Sequence, residues 1–138
     1  VQAGRIGQPV FLRLTAVLEC QLNELVSQLA DLILLSSKCL RTTPVELFVA
    51  GDQPAGHLSA TGEFENSATA IITLARHGQP RVDLALYGNQ GSIIHGESLE
   101  FHNYSLAPEQ STQERDELID RIVQSLDQNI PVRTEVGL

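Results

Sequence analysis

Between Pro9 and Val17 the chain reads PVFLRLTAV, apolar and β-branched enough for a strand, with Gly4 and Gly7 ahead of it as turn residues. The period then changes. From Glu19 to about Lys38, the apolar residues Leu22, Leu25, Val26, Leu29, Ile33 and Leu34 recur at steps of three and four, which predicts an amphipathic helix. Leu32 and Leu35 widen its apolar face, so this helix should be covered on more than one side. Pro44 enforces an extended stretch, and Val45 to Ala50 reads as a second strand ended by Gly51-Asp52.

Four more strand-like runs follow: Leu58 to Glu65, Ala68 to Ala75, Arg81 to Tyr87, and Ser92 to His95 after Gly88-Asn89-Gln90-Gly91; Leu99 to Tyr104 is a candidate for another. The linkers are short and rich in Gly, Asn and Pro, which suits antiparallel hairpins and leaves no room for helical crossovers between these strands. In Arg81 to Tyr87, Val82, Leu84 and Leu86 point one way and Arg81, Asp83 and Tyr87 the other, so the sheet has one buried face. In Ala68 to Ala75 the second face carries Thr69, Ile71, Thr73 and Ala75, less polar than solvent exposure predicts, and marks a subunit contact. Ser111-Thr112-Gln113-Glu114 has the spacing of a capping box. Leu118, Ile119, Ile122, Val123 and Leu126 then form one stripe up to Asn129, and Pro131 ends this second helix. The expected fold is α+β: a mainly antiparallel open sheet with helices packed on one face, in one domain spanning residues 1–138.

The chain has 138 residues, enough for one ordinary core and too few for two full domains. Its first residues, Val1-Gln2-Ala3-Gly4, lack a starting Met and the order of a secretory signal, as expected of a piece of a longer protein. The longest apolar run, Leu29 to Leu35, lies inside a helical pattern, so no membrane span is expected. Net charge is −8 with the basic residues scattered, which argues against nucleic-acid and anionic-membrane partners. Cys20 and Cys39 would stand roughly 28 Å apart on one helix at 1.5 Å per residue, too far for a disulfide; reduced thiols suit a cytoplasmic setting.

Dinucleotide binding needs a strand, a Gly-rich turn and a helix in succession, and neither G-x-G-x-x-G nor a P-loop occurs. Gly88 to Gly91 lies between two strands and reads as a hairpin turn. His57, His77, His95 and His102 lack the close pairing of helical zinc sites, so no metal is expected. Ser36-Ser37 has no adjacent base and no nucleophile-elbow glycines. Glu24, Gln28 and Asp31 follow one another at steps of four and three on the first helix. They share a face that could look into a cleft, or form the solvated stripe of an ordinary amphipathic helix.

Three stretches in order resemble the C-terminal domain of the glucose-fructose oxidoreductase and inositol dehydrogenase (Gfo/Idh/MocA) family. Gly4-Arg5-Ile6-Gly7-Gln8-Pro9-Val10 is similar to its G-x-I-G-x-P lead-in to the first strand. Gly62-Glu63-Phe64-Glu65-Asn66-Ser67-Ala68, with the strands that follow and the Gly88 to Gly91 turn, is similar to its F-x-N-G-A strand and later G-x-x-G turn. The last helix followed by Ile130-Pro131-Val132 is similar to its closing helix and exit.

The resemblance implies a dihydrodipicolinate-reductase-like C-terminal domain, a substrate and oligomerisation half whose dinucleotide domain is absent from this chain. It also implies NAD or NADP in a full-length parent, a sugar or polyol substrate, and homo-oligomers built through the sheet face. Against the family's D-x-G-x-H-x-x-D helix this sequence has Glu24 for the first Asp, Val26 for the Gly, Gln28 for the His and Asp31 for the last Asp. A glutamine exchanges no proton near neutral pH, so acid–base catalysis from position 28 is lost. Two readings follow. The chain is the C-terminal half of an NAD(P)-dependent oxidoreductase, inactive alone and binding no cofactor by itself, or a non-catalytic binding or scaffolding module descended from that family.

Overall fold

Leu12, Leu14 and Ala16 are fully buried while Arg13 between them is exposed, so the first strand, β1 (Pro9–Val17), keeps the period-two alternation its sequence carries. The structure, a computed structural model, describes residues 8–52, 54–97 and 112–133. After β1 come helix α1 (Leu25–Leu40), strands β2 (Pro44–Asp52), β3 (His57–Phe64), β4 (Thr69–Ala75), β5 (Arg81–Gly88) and β6 (Gly91–Glu97), helix α2 (Thr112–Gln128) and the two-residue strand β7 (Val132–Arg133). The strand expected at Leu99 to Tyr104, the turn glycines Gly4 and Gly7, and Ser111 of the capping box lie outside the described residues.

The seven strands form one sheet in the order β6-β5-β1-β4-β3-β2-β7. The sheet is mixed, which corrects the expectation of antiparallel pairing in one place. β1 and β4 run parallel, with Leu12 beside Ala70, Leu14 beside Ile72 and Ala16 beside Leu74. The cause is the crossover through α1, which returns the chain so that β2 starts in the direction of β1. Two antiparallel steps, β2 to β3 and β3 to β4, then bring β4 back in that same direction. β4 and β5 flank β1, and residues 76–80 connect them across its end. Gly78 makes that passage at φ +118°, a conformation L side chains rarely adopt, where an added Cβ would lie 3.6 Å from Val17.

α1 covers β1, β4 and β3, while α2 covers β2 and β7 and leans on α1. Leu25, Leu29, Leu32, Ile33 and Leu40 of α1 meet Leu58, Ile72 and Leu74 of the sheet in one core. Burying each such side chain contributes roughly 1.5–3 kcal/mol. The helix starts at Leu25 rather than Glu19, because the chain is still tied to the sheet beyond β1. The Leu18 amide donates to the Ala75 carbonyl at 2.9 Å, and Leu22–Glu24 then form a single 3-10 turn. α1 closes on Arg41 in the left-handed region, φ 61°, whose amide returns to the Ser37 carbonyl.

Both helices pack on one face. The other face presents the register Thr61–Ile71–Arg13–Ala85 across β3, β4, β1 and β5. Among the described residues no helix is long and apolar enough to cross a membrane.

Candidate functional site

Where β1 and β4 end side by side, their chains part. β1 continues through Glu19 and Cys20 into the turn that starts α1, and β4 continues into Arg76. Ala70, Ile72 and Leu74 face the helices, so strand alternation sends Arg76 to the helix side as well. There its Nε donates to the Cys20 carbonyl at 3.1 Å, and Nη1 stands 3.5 Å from His77 Nε2. The stem runs against Gly56. A Cβ on that glycine, φ +91°, would lie 2.7 Å from Arg76 Cγ, and the Arg76 amide donates to the Gly56 carbonyl.

Glu24 belongs to the same end. Its Oε1 accepts from the Gln21 amide at 2.8 Å, closing the turn ahead of α1, and the residue is exposed. Burial pushes the Cys20 thiol up, Glu24 adds to the rise and Arg76 works against it, so both charges act on one sulfur. A thiol raised in this way is held protonated, which makes it a poor nucleophile. Cys39, at the far end of α1, is likewise pushed up by burial, and both cysteines are free.

Gln28 lies half-buried on the first turns of α1. Asp31 is committed elsewhere. Its Oδ1 accepts from Arg115 Nε at 2.7 Å and its Oδ2 from Nη2 at 3.4 Å, a two-pronged ion pair between α1 and α2. That hydrogen bond raises the Arg115 pKa against a smaller opposing effect of burial. The helix spacing that groups Glu24, Gln28 and Asp31 thus spans a capping carboxylate, a half-buried amide and a carboxylate clamped between helices.

The junction of β1 with α1 is the strand–turn–helix unit of this fold, the place where a dinucleotide's pyrophosphate would have to sit. Residues 18–24 contain no glycine, so this junction lacks the turn that lets a pyrophosphate approach backbone amides at a helix start. Gly88 and Gly91 pair across the β5–β6 hairpin, the turn their sequence predicts. Ser36 Oγ is spent on the Leu32 carbonyl at 2.9 Å. Among the described residues, no three His, Cys, Asp or Glu side chains are grouped as a metal site would need.

Sequence reasoning missed Arg76 and Arg115. A signal existed for Arg76: continuing the alternation of β4 one step past Ala75 places an arginine on the core side, where a charge needs a reason. Arg115 carries none, because its partner Asp31 is 84 residues away.

No family model matches the sequence, and no curated protein does. Solved structures match over nearly the whole chain. A probable dehydrogenase from Thermotoga maritima superposes with a TM-score of 0.73 at 14% identity, covering 97% of this chain and 59% of that one. A myo-inositol dehydrogenase from Corynebacterium glutamicum gives 0.68 at 10% identity, covering 96% and 58%. A scyllo-inositol dehydrogenase from Lactobacillus casei, solved with NAD(H) and scyllo-inositol bound, gives 0.60 at 12%, covering 96% and 58%. The chain therefore has the fold of a part of these enzymes and spans less than two thirds of their length. Inositol dehydrogenases are the kind of enzyme that the sequence motifs resemble.

Proposed function

We propose that this chain is the C-terminal, substrate-binding and oligomerising domain of an NAD(P)-dependent oxidoreductase acting on a sugar or polyol, with the dinucleotide-binding unit supplied outside these residues. The observation that carries the reading is the superposition of 97% of the chain on 59% of a dehydrogenase, over a sheet whose order and crossover are long-range features. The share of that enzyme which this chain does not cover leaves room for a dinucleotide-binding unit, for which this chain's own β1–α1 junction lacks the Gly-rich turn.

The nicotinamide would supply the hydride acceptor. The residues here would hold the reacting hydroxyl. Glu24, exposed at the mouth of α1, is the group able to take its proton. Gln28, one helical turn on, can orient the oxygen through its amide but exchanges no proton. Asp31 acts through position: clamped to Arg115, it fixes the angle at which α1 presents the two preceding residues. We place the protein in the cytoplasm, a setting that its two free cysteines suit.

Assembly through the sheet face opposite the helices belongs to the same proposal. Its support is the row Thr61, Ile71, Arg13 and Ala85, in which Ile71 is 38% exposed and a single charge interrupts an otherwise small or apolar set.

The test is to express the chain together with whatever sequence precedes Val1 in its gene and to follow nicotinamide reduction across a panel of polyols. Turnover that falls on Glu24→Gln supports the reading. A preceding sequence with no strand, Gly-rich turn and helix would overturn it. That outcome favours the second reading, a non-catalytic binding or scaffolding module, which Gln28 at the position of the family's histidine supports.

A further inference from the structure

Arg76 is fixed in place yet, among the described residues, makes no ion pair. Arg81 pairs with Asp83 and Arg115 with Asp31, whereas among the described residues no carboxylate lies within ion-pairing distance of Arg76. Its stem is confined by Gly56, its Nε is spent on the Cys20 carbonyl, and the residue is half-buried. A half-buried guanidinium held in place with no carboxylate on it is suited to receive an anion. Pinning at Nε leaves the Nη1 and Nη2 end of the fork to receive two oxygens, the geometry that carboxylates and phosphates match. His77, with Nε2 at 3.5 Å from Nη1, adds a second hydrogen-bonding group at that end.

We propose that Arg76, with His77 beside it, forms an anion-recognition site at the junction of β1, β4 and α1, and that the ligand is an acidic polyol, a sugar skeleton bearing a carboxylate. The inference rests on the proposed function for the hydroxyl's fate, but not for the binding itself. A sugar phosphate offers the same oxyanion, and the test separates the two.

The isotope-labelled 138-residue chain is titrated in parallel with glucuronate, a hexose phosphate and myo-inositol, following the Arg76 Nε–H and the Gly56 and His77 amides by NMR. Saturable shifts with glucuronate, and none with myo-inositol at equal concentration, support the site. A stronger response to the hexose phosphate keeps the site and overturns the carboxylate assignment. Arg76→Lys should weaken glucuronate binding about tenfold by removing the fork while keeping the charge, and Arg76→Gln should abolish it. His77→Ala, which leaves the packed stem intact, should weaken it less, and it decides the matter if Arg76→Gln fails to fold. Shifts of equal size with myo-inositol, or affinity unchanged by these substitutions, would overturn the proposal. Glucuronate binding in a protein that reduces no nicotinamide would remove the dehydrogenase reading alone. Oxidation of glucuronate at a rate indifferent to Arg76→Gln would remove this site alone.

Discussion

The hydroxyl of Ser125 in α2 accepts from the backbone amide of Val49 in β2 at 2.8 Å and donates to the Ile130 carbonyl at 2.8 Å. β7 is only two residues long and pairs with Glu46 and Leu47, so among the described residues the outer edge of β2 has no strand partner at Val49. Ser125 answers for the amide that β7 leaves open, and thereby fastens the helix to the sheet edge. Ser125→Ala strands a buried amide and should lower stability by about 1–3 kcal/mol. Urea unfolding checks this. A midpoint that hardly moves would mean that water replaces the hydroxyl.

Gly56 and Arg76 are coupled by space. Gly56→Ala meets both a φ of +91° and a Cβ placed 2.7 Å from Arg76 Cγ, and should cost about 1–3 kcal/mol. Shortening the arginine removes the collision but not the backbone strain. In Arg76→Ala the same glycine substitution should therefore cost measurably less, a non-additivity that a double-mutant cycle reads directly. Equal costs in both backgrounds would mean that strain alone fixes the glycine.

What the sequence shows of this fold is its local part. β1 runs Pro9–Val17 in both pattern and structure, because nine residues of alternating, β-branched chain have one way to be half-buried. The start of α1 is misread, since Leu22 fits the helical period while the Leu18 amide still belongs to the sheet. The parallel pairing of β1 with β4 is invisible, because it follows from where α1 delivers β2 and from no property of either strand. The site divides in the same way. Spacing along α1 groups Glu24, Gln28 and Asp31, but only tertiary structure shows that Asp31 holds Arg115 and that Arg76 arrives beside Cys20.

Asp31→Ala and Arg115→Ala should each destabilise the chain modestly, and the double substitution should cost little more than either single one. The side chains are 23% and 35% exposed, so solvent screens the pair and its coupling energy should be about 0.5–1 kcal/mol. The functional expectation is sharper. If Asp31 positions α1, either single substitution lowers kcat of the active protein while Asp31→Asn, which can keep one hydrogen bond, retains most of it. Loss of activity in Asp31→Asn with stability unchanged would give Asp31 a direct chemical role instead.

The pH dependence of an active protein should carry no imidazole from α1, because position 28 is glutamine. Gln28→His would add a group titrating near pH 6.5, the ordinary histidine value. A new limb in the kcat/KM profile near that pH is the expected result. A profile indifferent to both Gln28→His and Glu24→Gln would place the reacting hydroxyl away from this helix.

The face of the sheet opposite the two helices yields the last prediction. Ile71 stands in its middle, 38% exposed, between Thr61 on β3 and Arg13 on β1. Nearby, Phe11 and Tyr87 are in ring contact at 5.7 Å between centroids, which extends the apolar area toward β5. A stable interface needs about 800 Å² per partner, which an open sheet face can offer without rearranging its core. In such a dimer Arg13 must find a carboxylate across the interface, since among the described residues it has no ion-pair partner. A second cation at its shoulder cannot be matched by the same carboxylate, so Ile71→Lys should favour the monomer while the fold persists. Sedimentation velocity with circular dichroism separates the two effects: the expected outcome is a dimer for the unmodified chain and a folded monomer for the variant. An unmodified chain that sediments as a monomer at tens of micromolar would sink the idea.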